Sequence, residues 1–425
     1  MLKLKRKSGI IIPKEYKNEL FYTRIQEHLI RRYKDFNTEI YITQKYFVEN
    51  DHFMIIPRFF PVDQYVNCEI IDDSHTGEDI EITHNIIPRN EAQESAIKQM
   101  LQDDNGVIKL NPGMGKTVIS IYMIAERKKK TIILVHRDGL VKQWKERFLQ
   151  FTDLKEDDIS CLKSKSFEED LTKPIIIATN QTICSLIKRQ NVRLYRAINK
   201  ANIGIMVADE VHTTVGAEKF SECSLRIPAK VIWGLSATPH RYDGNTDIIN
   251  YHLGNVFSID DSSGTMPVRV TVLLYDFGVL TNKNHIYMYW DGKFQRSRYL
   301  GMIKKSKGFL TIVLSLIKKV YEDERNMLVV CERVDKLINV IYDKIKYKNK
   351  EKYISGSSED ALKARITLTT PGKCRDGIDA PWKDLCILTS PVKNIAQMAG
   401  RIVRINPNKK TPSIIDIVDI GIPEI

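Results

Sequence analysis

Apolar residues along this chain fall into short, nearly continuous runs separated by stretches with helical spacing. Runs at 106–110 (GVIKL), 131–136 (TIILVH), 174–179 (PIIIAT), 203–210 (IGIMVADE) and 230–238 (KVIWGLSAT) are rich in β-branched residues and have the length of strands. Strands that are apolar on both faces suit a sheet covered on both sides, and such sheets are parallel. Between them, 117–130 (TVISIYMIAERKKK) and 139–148 (GLVKQWKERF) repeat apolar positions every three or four residues, which predicts helices. The same alternation returns further on. GFLTIVLSLIKKVYEDE and RVDKLINVIYDKIKY predict helices there, and NMLVVCE, RITLTTP, DLCILTS and PSIIDIVDI predict strands.

The pattern divides the chain into an α+β segment at 1–85, an α/β lobe at 86–265, an inter-lobe segment at 266–300 and a second α/β lobe at 301–425. In the first segment the spacing predicts a helix over 21–36, and EIYITQKYFVE and FMIIPRFFPV read as strands or edge segments. PRFFP at 57–61 places Arg58, Phe59 and Phe60 between prolines; sealing this segment against the following lobe is the preferred reading, stacking on nucleic-acid bases the other. In 266–300 only VRVTVLLYDF reads as a strand.

Composition narrows the chemistry. The hydrophobic share of 43% is ordinary for a globular protein, and no run approaches the roughly 20 apolar residues that span a bilayer. The basic start, MLKLKRKSGIIIP, has no sustained apolar stretch, so secretion is not expected. A net charge of +12 favours an anionic partner, because basic side chains release counterions as they neutralise phosphates. The 7 cysteines include no CxxC pair, which argues against a metal ribbon and fits a reducing, intracellular compartment, the host cytoplasm if the chain is viral.

The candidate chemistry sits at the ends of predicted strands. NPGMGKT at 111–117 follows GVIKL and precedes a helix. Gly113 and Gly115 let backbone amides wrap phosphate oxygens, Lys116 reaches the β and γ phosphates, and the Thr117 hydroxyl is a magnesium ligand. Leu110 occupies the first glycine position of the strict phosphate-loop pattern. At the end of IGIMVADE, Asp209 is placed to hold magnesium and Glu210 to polarise an attacking water, while His212 of DEVH would tie nucleotide chemistry to motion. Gln93, with Arg89 close by, precedes the loop and offers an adenine-reading amide. Gln397, Arg401 and Arg404 lie at helical offsets on one face, where arginines delivered across a cleft would neutralise charge on a transferred γ-phosphate.

Taken in order, Gln93, LNPGMGKT, ILVHRDGLVKQW, ATNQTI, DEVH, GLSATPHRYDG, GIDAP and QMAGRIVR resemble helicase superfamily 2 over about 86–410. GLSATPHRYDG is most similar to the XPB-like branch, and the compact size resembles phage UvsW-like and poxvirus transcript-release helicases. The resemblance implies two RecA-like lobes with ATP between them and nucleic acid across their tops. It also implies backbone contacts from Arg137, Asn180, Gln181 and Thr370, coupling through Thr238, nucleotide sensing by Gly377 and Asp379, and a further strand contact at Arg375. Val211 replaces the alanine of the usual DEAH spelling and should keep its buried apolar place.

The expected activity is an ATP- and magnesium-dependent helicase or translocase on double-stranded or branched DNA, serving recombination, repair or replication. Viral transcription control, a restriction-system translocase subunit, RNA unwinding and a non-motor ATP-regulated binding module are the alternatives. Protein partners and membrane association have no signal in the sequence.

Overall fold

The β-branched runs of the first lobe build one seven-stranded sheet in the computed structural model. Its description covers residues 1–34, 41–111, 113–240, 244–259, 266–276, 287–290, 293–378, 380–390, 392, 402–403, 406 and 409–422. The strands lie in the order Ile159–Cys161, Ile175–Thr179, Thr131–Val135, Ile205–Asp209, Val231–Ser236, Asn105–Lys109, Val256–Ser258, and every neighbouring pair is parallel. The central strands are buried along their whole length, which is why their sequences are apolar without alternation. Helices Lys116–Arg127 and Asp138–Phe151 cover one face and Asn180–Ala201 the other, so two apolar clusters flank the sheet. Two strands separate Asn105–Lys109 from its sequence successor Thr131–Val135. In open α/β sheets that reversal of order opens a crevice at the carboxyl ends of the strands.

The chain divides into two compact units, Met1–Asp261 and Ser262–Ile425. In the second, six parallel strands run in the order Arg269–Tyr275, Ser413–Asp419, Leu385–Leu388, Met327–Val330, Ile366–Thr369, Lys350–Tyr353. VRVTVLLYDF is therefore the edge strand of this sheet, and Tyr299, Leu300 and Ile303 of helix Arg296–Ile303 belong to its core, so this part of 266–300 is built into the second unit. Two parallel α/β lobes and a mixed N-terminal sheet are the expected fold class.

The N-terminal sheet has the order Val48–Glu49, Phe53–Ile56, Ile10–Pro13, Leu2–Arg6, Cys68–Asp72, parallel only in the last pair. The helix expected over 21–36 stops at Leu29, because residues 30–34 go extended and pair antiparallel with Tyr41–Lys45. Cross-strand pairing outcompetes the helical spacing of IRRYK. PRFFP is a packing element. Arg58 is buried and donates to the carbonyls of Lys7 and Lys230, while Phe60 packs on His28, Tyr65 and Tyr251. An Arg31–Asp247 ion pair and a Tyr46 hydroxyl bond to Gly216 O join the same segment to the elements after DEVH and SATP.

Residues 75–86 form a strap across the amino ends of the first lobe's strands. His75 N donates to Pro228 O, Glu78 N to Asn202 O, Ile80 N to Lys128 O and Asn85 N to Phe151 O. Gly77 crosses Gly204 so closely that a Cβ would lie 2.4 Å from the Gly204 Cα, and its φ of +89° is one that favours glycine. Ile80, Ile82 and Ile86 enter the lobe's own core.

His252 is fully enclosed on the strand-covering helix Thr246–Leu253, and Nδ1 lies 2.8 Å from Ser224 Oγ. Burial pushes its pKa down from 6.5 to about 3. The unfolded chain therefore binds one more proton than the folded chain between these values. Its contribution is complete above pH 6.5 and is lost as pH falls toward 3, at up to about 1.4 kcal/mol per pH unit. Urea unfolding of His252→Asn beside the wild type is expected to show a shallower acid decline in the variant; parallel declines would assign the acid sensitivity elsewhere.

Candidate active site

The phosphate-loop sequence leaves strand Asn105–Lys109 and turns into helix Lys116–Arg127 through two left-handed glycines, Gly113 at φ +87° and Gly115 at φ +82°. Gly115 is required twice over, since a Cβ there would also lie 2.5 Å from Gln93 Nε2. Gln93 is buried and clamps the loop: Nε2 donates to Met114 O at 2.9 Å and Oε1 accepts from Arg89 N at 2.9 Å. Its own backbone amide donates to Asn90 Oδ1, the cap of helix Glu91–Gln102. Gln93 thus braces the loop, and Arg89 contributes its backbone to the clamp. Lys116 Nζ donates to Leu110 O at 3.2 Å, which makes the unusual Leu110 a partner of the loop lysine through its carbonyl. Thr117 follows in the first turn of the helix.

Asp209 ends a central strand one position removed from Asn105–Lys109, with Val231–Ser236 between them, and is nearly fully buried. Oδ2 accepts from Trp144 Nε1 at 3.0 Å, and Oδ1 accepts from Glu210 N at 3.0 Å. Burial raises the Asp209 pKa and the Glu210 carboxylate adds to the rise; the Trp144 hydrogen bond and the Lys116 charge oppose it. Such a carboxylate is set up to gain from a cation. Glu210 adopts φ +50° and ψ +63°, a left-handed conformation that costs a non-glycine residue about 1–2 kcal/mol. It is held there because its carbonyl accepts from Thr213 N and Thr214 N, and Thr214 O in turn accepts from Asn180 Nδ2 at 2.9 Å. Glu210 Oε2 is buried, has no hydrogen-bond donor among the described residues and lies 3.6 Å from His212 Nδ1.

His212 connects this end to the next strand. Its Nδ1 is 3.4 Å from Ser236 Oγ, and that oxygen accepts from Thr238 N at 3.1 Å. DEVH and SATP are therefore joined side chain to backbone at the carboxyl ends of adjacent strands. Val211 is fully buried as expected, and the strand beside it makes room with Gly234, where a Cβ would lie 2.5 Å from Val211 Cγ1.

The other expected positions divide by location. Gln181 is exposed and donates to His136 O at 2.7 Å, next to Arg137, which caps helix Asp138–Phe151. Asn180 points into the interior, so its side chain positions Thr214. In the second unit Thr370 caps Pro371–Gly377, its hydroxyl accepting from Lys373 N, and Gly377 ends that helix. The Arg375 side chain, Asp379, Gln397, Arg401 and Arg404 lie outside the described residues.

Trp144 and Ser236 carry site geometry that the motifs did not single out. For Trp144 the signal was present: a buried indole N–H needs an acceptor, and its helix follows a strand next to Asp209. Trp144→Phe is expected to lower ATP turnover roughly tenfold, the size of one charge-assisted hydrogen bond, and to raise the magnesium concentration needed for half-maximal rate. Unchanged turnover and magnesium dependence would leave Trp144 a packing residue.

Residues 86–241 match the family described as type III restriction enzyme, res subunit. A protein of Acanthamoeba polyphaga mimivirus, named provisionally as an ATP-dependent RNA helicase, is 27% identical over 391 residues, covering 88% of this chain and 72% of its own length. A DNA 3'-5' translocase of the XPB type from Sulfurisphaera tokodaii is 27% identical over 222 residues, or 52% of this chain and 44% of that protein. Among solved structures, the DNA-bound ATP-dependent type ISP restriction-modification enzyme LlaBIII shares the fold, with a TM-score of 0.54 at 16% identity over 78% of this chain and 28% of that one.

Proposed function

We propose that this chain, an ATP-hydrolysing helicase or translocase similar to the XPB-like branch of superfamily 2, works on DNA and remodels duplex or branched substrates in recombination, repair or replication. The observation that carries the motor reading is the connection of Glu210, His212, Ser236 and Thr238 at the ends of two adjacent strands. A change at the carboxylate end of that path is felt at the SATP loop, as coupling of hydrolysis to strand movement requires.

In this reading Gly113, Gly115 and Lys116 hold the phosphates and Glu210 takes the proton of the attacking water. Its buried Oε2, with no donor among the described residues, suits that task. Thr117 and Asp209 would hold magnesium, which when bound neutralises phosphate charge. The donor set fits: Asp209 is a buried carboxylate that feels the Lys116 charge, and Thr117 brings a hydroxyl directly after that lysine. Gln397, Arg401 and Arg404 are proposed to supply further positive charge during hydrolysis, Gly377 and Asp379 to sense the nucleotide, and Arg137, Gln181, Thr370 and Arg375 to contact the nucleic-acid backbone.

DNA is preferred because the XPB-type relative is named as a DNA translocase. RNA is the second reading, favoured by the name of the mimivirus relative, which this chain matches over most of its length. ATP turnover and strand separation measured side by side on single-stranded DNA, duplex, forks, four-way junctions and RNA decide between them. The expected result is strongest stimulation by branched or duplex DNA. Equal or greater stimulation by RNA would sink the DNA assignment, and no stimulation by any of them would sink the motor.

A further inference from the structure

The short hairpin Tyr289–Trp290/Lys293–Phe294 of the second unit sorts its aromatic residues into two groups. Met288 is fully buried, while Tyr289 packs on Phe294 and Phe294 on Tyr299, so these residues anchor the hairpin in the core. Tyr287 and Trp290 are left 54% and 66% exposed. The Arg298 guanidinium carbon stands 5.3 Å from the centroid of each ring, and Nη1 donates to Tyr287 O at 2.8 Å. Of the chain's 4 tryptophans, Trp144 and Trp233 are fully buried, and half-buried Trp382 donates to Leu362 O. Trp290 alone presents most of its indole to water, where an aromatic ring of this size gains much from a flat apolar partner.

We propose that Tyr287, Trp290 and Arg298 form a stacking platform for an unpaired base of a nucleic-acid strand. The charge around it is complementary to phosphate. From 293 to 308 the chain carries Lys293, Arg296, Arg298, Lys304, Lys305 and Lys307 and no acidic residue. Among the described residues, carboxylates reach this part of the unit through Glu332 on Arg296, Asp419 on the Tyr299 hydroxyl and Asp335 beside Arg333. Asp291 follows Trp290 in the sequence, and Lys336 bonds Ser297 between the two arginines. Arg298 fixes the orientation of both rings by cation–π contact, so little order is lost when a base stacks on them. Every base has a π-face, and the platform therefore holds strands without reading their sequence.

This inference rests on the nucleic-acid motor reading, and Trp290 supplies a readout of its own. A single-stranded oligothymidylate is expected to quench the tryptophan fluorescence of the full chain. Trp290→Phe should keep the affinity and lose the quenching. Trp290→Ala should lose the quenching and weaken binding roughly five- to hundredfold, the range measured for one stacked base. An abasic strand of equal length should bind wild type and Trp290→Ala alike, and ATP turnover without nucleic acid should match in all three proteins. Equal oligothymidylate affinity in wild type and Trp290→Ala, or quenching that survives in Trp290→Phe, overturns the platform, and the patch then serves another purpose such as a protein contact. If ATP turnover is still stimulated by nucleic acid in that case, the platform fails and the motor stands; if the wild type neither binds strands nor responds to them, both fail.

Discussion

Glu210→Gln is expected to leave ATP binding intact while lowering ATP turnover by about a hundredfold or more, the usual contribution of a positioned general base. Glutamine fits the same space and keeps the backbone bonds from Thr213 and Thr214 to the residue-210 carbonyl, so the left-handed turn should persist. What is removed is the basic oxygen, Oε2, which has no hydrogen-bond donor among the described residues. Lys116→Ala provides the contrast. It removes the charge at the phosphate loop and a bond to Leu110 O, so nucleotide affinity and turnover should fall together. Binding of a fluorescent ATP analogue, measured beside single-turnover hydrolysis, separates the two outcomes. Near-normal hydrolysis by Glu210→Gln would assign water activation to another group, and near-normal binding and turnover in Lys116→Ala would remove the phosphate-loop assignment.

The second large effect lies far from that chemistry, at the strap. Ile82 is 1% exposed in the first lobe's core, and Ile82→Ala is expected to cost about 2–5 kcal/mol, the range for deleting buried methylenes. That is a large part of a domain's net stability. For a unit of this size each kcal/mol should lower the melting temperature by about 2–4 °C. Gly77→Val should be at least as damaging, because a Cβ has no room above Gly204 and the φ of +89° is strained for valine. Ile87, 84% exposed and five residues along, is the internal control: Ile87→Ala should stay within about 0.5 kcal/mol of wild type. Melting and urea curves for the three variants test the strap directly. If Ile82→Ala is no worse than Ile87→Ala, residues 75–86 only lie on the lobe and do not complete its core.

The strap also explains why a boundary near residue 85 is hard to place from sequence. Ile80, Ile82 and Ile86 are spaced too sparsely to read as a strand or a helix, and the segment's backbone bonds form isolated one-residue bridges, His75 with Ala229, Asp79 with Lys129 and His84 with Thr152. Each partner is distant in sequence, so no local pattern records it.

Local burial is what the sequence determined by itself. Strands such as Ile175–Thr179 and Ile205–Asp209 are covered on both faces, so they had to be apolar throughout, and the run is visible without neighbours. The glycines at 113 and 115 were legible for a similar reason, since the left-handed turn they make is a property of their own backbone. Order among strands was decided only by the tertiary structure. Placing Val231–Ser236 between Ile205–Asp209 and Asn105–Lys109 is a non-local pairing, and it is what brings DEVH, SATP and the phosphate loop to one edge. Direction of polar side chains was decided the same way. Asn180 and Gln181 are adjacent and alike in chemistry, yet one is enclosed against Thr214 and the other is exposed, because the helix they begin buries one side against the lobe. Trp144 reaches Asp209 across 65 residues of chain for the same physical reason: a buried N–H must find an acceptor, and packing alone decides which one is near.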